Sequence, residues 1–133
     1  MENKIVVHTK DGKIHKGVTH DFDASAESFH LLPAEGGGVP MRLVLEDLKA
    51  LFYVKDYLGN RHFVASRSFE GSEMQGRRAV VTFEDGEEIW GTLSEGSDDE
   101  SGSGFFFIPA DKEDNNLRIF VIRSAMKDLR LES

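Results

Sequence analysis

The sequence predicts an all-β fold of two tandem five-stranded small barrels, and three observations predict it. The first is an internal repeat. Lys4-Ile5-Val6-Val7-His8-Thr9-Lys10-Asp11-Gly12 is matched by Arg78-Ala79-Val80-Val81-Thr82-Phe83-Glu84-Asp85-Gly86, and Phe29-His30-Leu31-Leu32-Pro33-Ala34 by Phe105-Phe106-Phe107-Ile108-Pro109-Ala110. A third block, Leu48-Lys49-Ala50-Leu51, returns as Met126-Lys127-Asp128-Leu129. Three blocks in the same order mark a duplication. The second observation is an Asp-Gly pair between β-branched runs in each copy, a strong hairpin signal because glycine supplies the positive φ of a tight turn. The third is an isolated glycine, Gly17 or Gly91, five residues after the first glycine and inside the next strand. Such a glycine marks a bulge or sharp bend, by which a small sheet curls and removes its edges.

The elements follow in order. Ile5–Thr9 and Ile14–His20 form the first hairpin, with a two-residue turn at Asp11-Gly12. The third and fourth strands are Ser28–Leu32 and Met41–Leu45, joined through Gly36-Gly37-Gly38, and their counterparts are Gly104–Ile108 and Leu117–Ile122. Pro33 and Pro109 stand where strands end, since proline cannot donate to a ladder. Glu46-Asp47-Leu48 and Arg123-Ser124-Ala125 read as single helical turns before final strands at Lys49–Val54 and Met126–Leu131. The domains are therefore residues 1–55 and 78–133, joined by a connector at 56–77 that has no counterpart in the second copy. Ser94–Gly104 is polar, acidic and glycine-rich, and is expected to be a mobile loop.

Modules of about 55 residues bury a small fraction of their surface and gain from docking on a neighbour. With 24 acidic and 16 basic residues the net charge is −8, which repels a phosphate backbone unless the basic residues share one face. Zero cysteines exclude disulfides and thiolate metal sites. Met1-Glu2-Asn3-Lys4 runs directly into a strand-like segment with no signal-peptide core, so the expected location is cytoplasmic. No apolar run approaches the roughly 20 residues a membrane helix needs, so no membrane association is expected.

Each copy resembles the Sm-like small β-barrel, a relative of the SH3-like barrels. That family's first motif runs apolar-x-apolar, then Asp-Gly, then glycine five residues later. Phe22-Asp23 resembles a pair common in Sm-like chains, and the tandem arrangement resembles an uncharacterised bacterial family of paired Sm-like units. The resemblance implies edge-to-edge association through fourth and fifth strands, into a dimer or ring, with strand edges at Met41–Leu45 and Leu117–Ile122. It does not extend to the family's RNA pocket. Glu27 stands where an asparagine follows the aspartate by four residues, and Asp47-Leu48 and Ser124-Ala125 stand where an Arg-Gly pair precedes the last strand.

Candidate chemistry is sparse. A two-residue turn sets His8 opposite His15, the weak candidates for a metal, but the second copy has Thr82 and Ile89 there, and no metal or other cofactor is implied. Arg61, His62, Arg67, Arg77 and Arg78 gather around the connector and could meet an anion. Asp99-Glu100-Ser101-Gly102-Ser103-Gly104 fits the Asp-x-Ser-x-x-Gly of PilZ-type cyclic-dinucleotide receptors, but lacks their upstream arginine pair. Glu87 and Glu88 point to opposite faces of a strand and cannot form an acid–base pair. Phe105-Phe106-Phe107 must place at least one ring on each face, and the outer ring is expected to cover the companion barrel.

The chain is therefore expected to be a non-catalytic binding and assembly module whose partner is a protein or a second copy of itself. RNA is the alternative, disfavoured by the charge, with Arg61, Arg67, Arg77 and Arg78 on phosphate and Phe22 or Tyr53 stacking on bases. A sensor of a small anion such as a cyclic dinucleotide is the third class.

Overall fold

A computed structural model describes residues 4–23, 25–34, 38–55, 77–93, 103–110 and 116–131. These residues form ten antiparallel strands: β1 Lys4–Thr9, β2 Ile14–Val18, β3 Ser28–Pro33, β4 Met41–Val44, β5 Leu48–Val54, β6 Arg77–Phe83, β7 Glu88–Leu93, β8 Gly104–Pro109, β9 Asn116–Ile122 and β10 Met126–Leu131. Single 3-10 turns at Leu45–Asp47 and Arg123–Ala125 precede β5 and β10. The strands build one continuous sheet in the order β10-β6-β7-β8-β9-β5-β1-β2-β3-β4. Each repeat has the same internal order, fifth strand, first, second, third, fourth. Among the described residues, no ladder joins β4 to β5 or β9 to β10.

Both Asp-Gly turns are one residue longer than expected. Thr9 N–H donates to Lys13 O at 3.0 Å and Gly12 N–H to Thr9 O at 3.2 Å, with Gly12 at φ 91°. The second copy repeats this with Phe83, Glu87 and Gly86 at φ 93°. This is the three-residue hairpin loop that closes on a left-handed glycine. The extra residue moves the register, so His8 pairs with Ile14 and His15 with Val7. His8 and His15 therefore point to opposite faces, which removes them as a metal pair.

The strand glycines serve close approach. The ladders continue through Gly17↔Pro33 and Gly91↔Pro109 without a bulge. A Cβ on Gly17 would lie 2.1 Å from the Leu32 carbonyl oxygen, and one on Gly91 2.0 Å from that of Ile108. Glycine lets the third strand of each repeat fold over the second.

The two repeats meet along β5 and β9, paired through Ala50↔Val121, Leu51↔Phe120, Phe52↔Ile119 and Tyr53↔Arg118. The edge expected at Leu117–Ile122 is therefore occupied within the chain, while the one expected at Met41–Leu45 lies at one end of the sheet order and β10 at the other. At this seam both faces are covered, because side chains opposite each other across a ladder share a face. Leu51 and Phe120 sit with Val7, while Ala50 and Phe52 sit with Val121 and Ile119. All of these are buried in one continuous core. At the outer ends the counterparts are polar. Asp128 and Arg130 stand on β10 where β5 has Ala50 and Phe52, Arg42 on β4 where β9 has Phe120, and all three are exposed. Charges of this kind discourage further pairing at a sheet edge.

Candidate functional site

Three neighbouring strands carry one row of side chains across the seam, because Ile5 pairs with Tyr53 and Tyr53 with Arg118. Two residues along β9, Phe120 pairs with Phe106 of β8, so Phe106 lies on the same face. These side chains, with Thr19, His20 and Phe22 from the segment after β2, line a cleft of about 360 Å3. Neither repeat makes it alone: Phe106 and Arg118 come from the second, the rest from the first.

The rings fix its walls. Phe106 meets Tyr53 at 6.0 Å between centroids, Phe22 at 6.5 Å and Phe120 at 5.0 Å, all edge to face. Phe22 also rests edge-on against Phe29 and Phe120, at 5.3 and 5.0 Å. Edge-to-face pairs add about 0.5–1.5 kcal/mol each beyond their buried area. The outer ring of the Phe105-Phe106-Phe107 run thus covers the companion repeat, while Phe105 and Phe107 are buried.

The Arg118 guanidinium carbon lies 4.3 Å from the Tyr53 ring centroid and 4.7 Å from that of Phe106. Among the described residues, no carboxylate pairs with Arg118, and none lines the cleft. Burial raises the Tyr53 hydroxyl above its ordinary range, against the pull of Arg118, so at neutral pH it is a protonated donor.

The segment that supplies Thr19, His20 and Phe22 is held by Asp21. Its carboxylate accepts from the His30 backbone N–H at 2.9 Å, meets His30 Nδ1 at 2.7 Å and accepts from Thr19 Oγ1 at 3.1 Å. These bonds, the His30 backbone bond first, lower the Asp21 pKa to about 2. Asp21 is thus already engaged by His30 and Thr19.

Beyond the cleft, Lys49 of β5 reaches the β6–β7 turn and donates to Asp85 at 2.8 Å and Glu87 at 2.6 Å. Its ammonium lies 4.7 Å from the Phe83 ring centroid. Lys10 donates to Ser124 Oγ at 2.7 Å, a second polar tie between repeats. A further hollow of about 430 Å3 is lined by Glu27, Glu46 and Arg123 among others, so it carries both signs of charge.

Of the residues singled out from sequence, the fold brings Phe22 and Tyr53 into one cleft. Arg77 and Arg78 are exposed on β6 and do not line it. Arg61, Arg67 and nearly all of the connector 56–77 lie outside the described residues, as do Asp99 to Gly102. Sequence reasoning missed Arg118, Thr19 and His20. A signal existed in the contrast between repeats, since the seam strands keep apolar residues where the outer strands have charges. Among the described residues, no group of three or more histidines or carboxylates could hold a metal, and no helix is long and apolar enough to cross a membrane.

A family model described as "Family of unknown function (DUF6982)" matches residues 1–133. Comparison with curated proteins and with solved structures found no match. With every residue of the chain inside that match, the protein belongs to the DUF6982 family.

Proposed function

We propose that this chain is a non-catalytic binding module: two Sm-like or SH3-like barrels fused edge to edge in one polypeptide, with a recognition cleft at their seam. The observation that carries the reading is Arg118. It is a guanidinium lying over two rings from different repeats, with no carboxylate partner among the described residues. Clefts lined by apolar rings with a few convergent polar groups are the usual form of a ligand site. The seam supports the pseudo-dimeric part, because the fifth strand of one repeat pairs with the fourth of the next. The test is a thermal-shift screen of the full chain against small anions, small cations and short oligonucleotides, repeated on Arg118→Gln. A stabilising compound whose effect is lost in the variant supports the reading. A screen in which nothing depends on Arg118 removes it.

A second reading, self-association, draws on the free ends of the sheet. β4 and β10 are a fourth and a fifth strand, the same two positions that pair at the seam. Exposed Arg42, Asp128 and Arg130 oppose it. A monomeric mass in light scattering at high protein concentration removes it.

A further inference from the structure

We infer that the seam cleft takes a small planar monoanion, an aromatic carboxylate in chemical class; the inference rests on the reading of the cleft as a binding site and names its ligand. Four features converge on this class. The first is charge: among the described residues the cleft is lined by one arginine and no carboxylate, in a protein with 24 acidic residues. A single negative charge is matched there. A nucleic-acid backbone would meet one cation and then the field of a chain at −8.

The second is the donor geometry. The guanidinium carbon lies 4.3 and 4.7 Å from the Tyr53 and Phe106 ring centroids. Among the described residues the guanidinium makes no hydrogen bond or ion pair, so its planar fork of N–H donors is available to bind a carboxylate through two parallel hydrogen bonds. The third is the wall. Phe22, Phe106, Tyr53 and Ile5 line the cleft together, so a flat ligand finds aromatic neighbours there. The fourth is size. A volume of about 360 Å3 is at the small end of the roughly 300–1,000 Å3 of small-molecule sites. It suits one or two fused rings.

The carboxylate would sit on Arg118, with Thr19 and His20 beside it, and the ring would lie among the aromatic residues that line the cleft. Binding would involve no covalent step. Because Tyr53 and Arg118 come from different repeats, the ligand would also bridge the seam and stabilise the pairing of β5 with β9.

The experiment is a two-dimensional amide NMR titration of the full chain with benzoate and with 2-naphthoate. Benzamide serves as the uncharged analogue, acetate as the ringless anion, and inorganic phosphate and an oligouridylate as competing classes. The expected result is saturable shifts at Tyr53, Phe106, Arg118 and the segment 19–23, with naphthoate tighter than benzoate. Benzamide and acetate should each be weaker by tenfold or more. Arg118→Gln should lose at least tenfold in naphthoate affinity with an unchanged far-ultraviolet spectrum, and Arg118→Lys, which keeps the charge without the fork, should fall between. Acetate as tight as benzoate, or naphthoate affinity unaffected by Arg118→Gln, overturns the ligand class. Arg118-dependent binding of phosphate or oligouridylate alone also overturns the class but leaves the cleft as a binding site. If no probe moves any cleft resonance, the ligand class falls; the reading of the cleft itself falls only if the broad screen also finds nothing that depends on Arg118.

Discussion

Lys49 Nζ lies 2.6 Å from a carboxylate oxygen of Glu87, in a bond that ties the fifth strand of the first repeat to the first turn of the second. With Asp85 at 2.8 Å it forms a three-member bridge whose lysine side chain is only 12% exposed, while its two acids are about half exposed. Burial opposes the lysine's charge, but the hydrogen bonds to Asp85 and Glu87 outweigh it and raise its pKa. Lys49→Met keeps the stem over Phe83 and removes the charge. It should cost about 1–2 kcal/mol, since both carboxylates can return to water. Urea denaturation with an unchanged m-value checks this.

The seam predicts unequal costs at equivalent positions. Phe120 is fully buried between repeats, and its counterpart Arg42 is exposed at the sheet end. Phe120→Ala should destabilise by about 3–5 kcal/mol. Arg42→Ala should stay within about 0.5 kcal/mol. Because one core spans both repeats, unfolding followed by Trp90 fluorescence and by far-ultraviolet circular dichroism should give coincident transitions. Two separated transitions would mean that the repeats are independent.

The glycines predict two kinds of penalty. Gly17→Ala and Gly91→Ala put a Cβ against backbone carbonyl oxygens, at 2.1 and 2.0 Å, so the backbone must shift, and should cost about 1–3 kcal/mol or more. Gly12→Ala meets open space but keeps φ at 91°, so its cost is backbone strain alone, about 1–2 kcal/mol. Thermal melts of the three variants should rank Gly12→Ala as the mildest.

Asp21 predicts an acid-dependent step. Its folded pKa of about 2 is below the unfolded value of about 3.9. A depressed carboxylate contributes stability that is fully present above the unfolded pKa and is lost as pH falls through the folded one. The melting temperatures of the wild type and Asp21→Asn should therefore differ at pH 5 and draw together as pH falls from about 5 to about 1. A difference undiminished at pH 2 would place the effect elsewhere.

Much of the local structure was legible. Asp11-Gly12 and Asp85-Gly86 located both hairpins because only glycine tolerates the left-handed position, and the repeat carried the order of strands within each half. The turn length escaped, since Asp-Gly serves both two- and three-residue loops, and that one residue separated His8 from His15. In the cleft, Phe22 and Tyr53 were singled out as stacking residues, but Arg118 was not.

The sequence by itself determined which segments become strands and where each hairpin turns, because these depend on φ preferences and side-chain alternation within a few residues. Only the tertiary structure decided that β5 pairs with β9, that Phe106 and Arg118 stand beside Tyr53, that Gly17 and Gly91 meet a neighbouring backbone, and that β10 rather than β9 is the second end of the sheet order. Any free strand offers the same row of backbone donors and acceptors. The choice of partner therefore falls to the apolar faces that a pairing buries, and Ala50, Phe52 and Phe120 are buried together where Arg42, Asp128 and Arg130 would have to leave water.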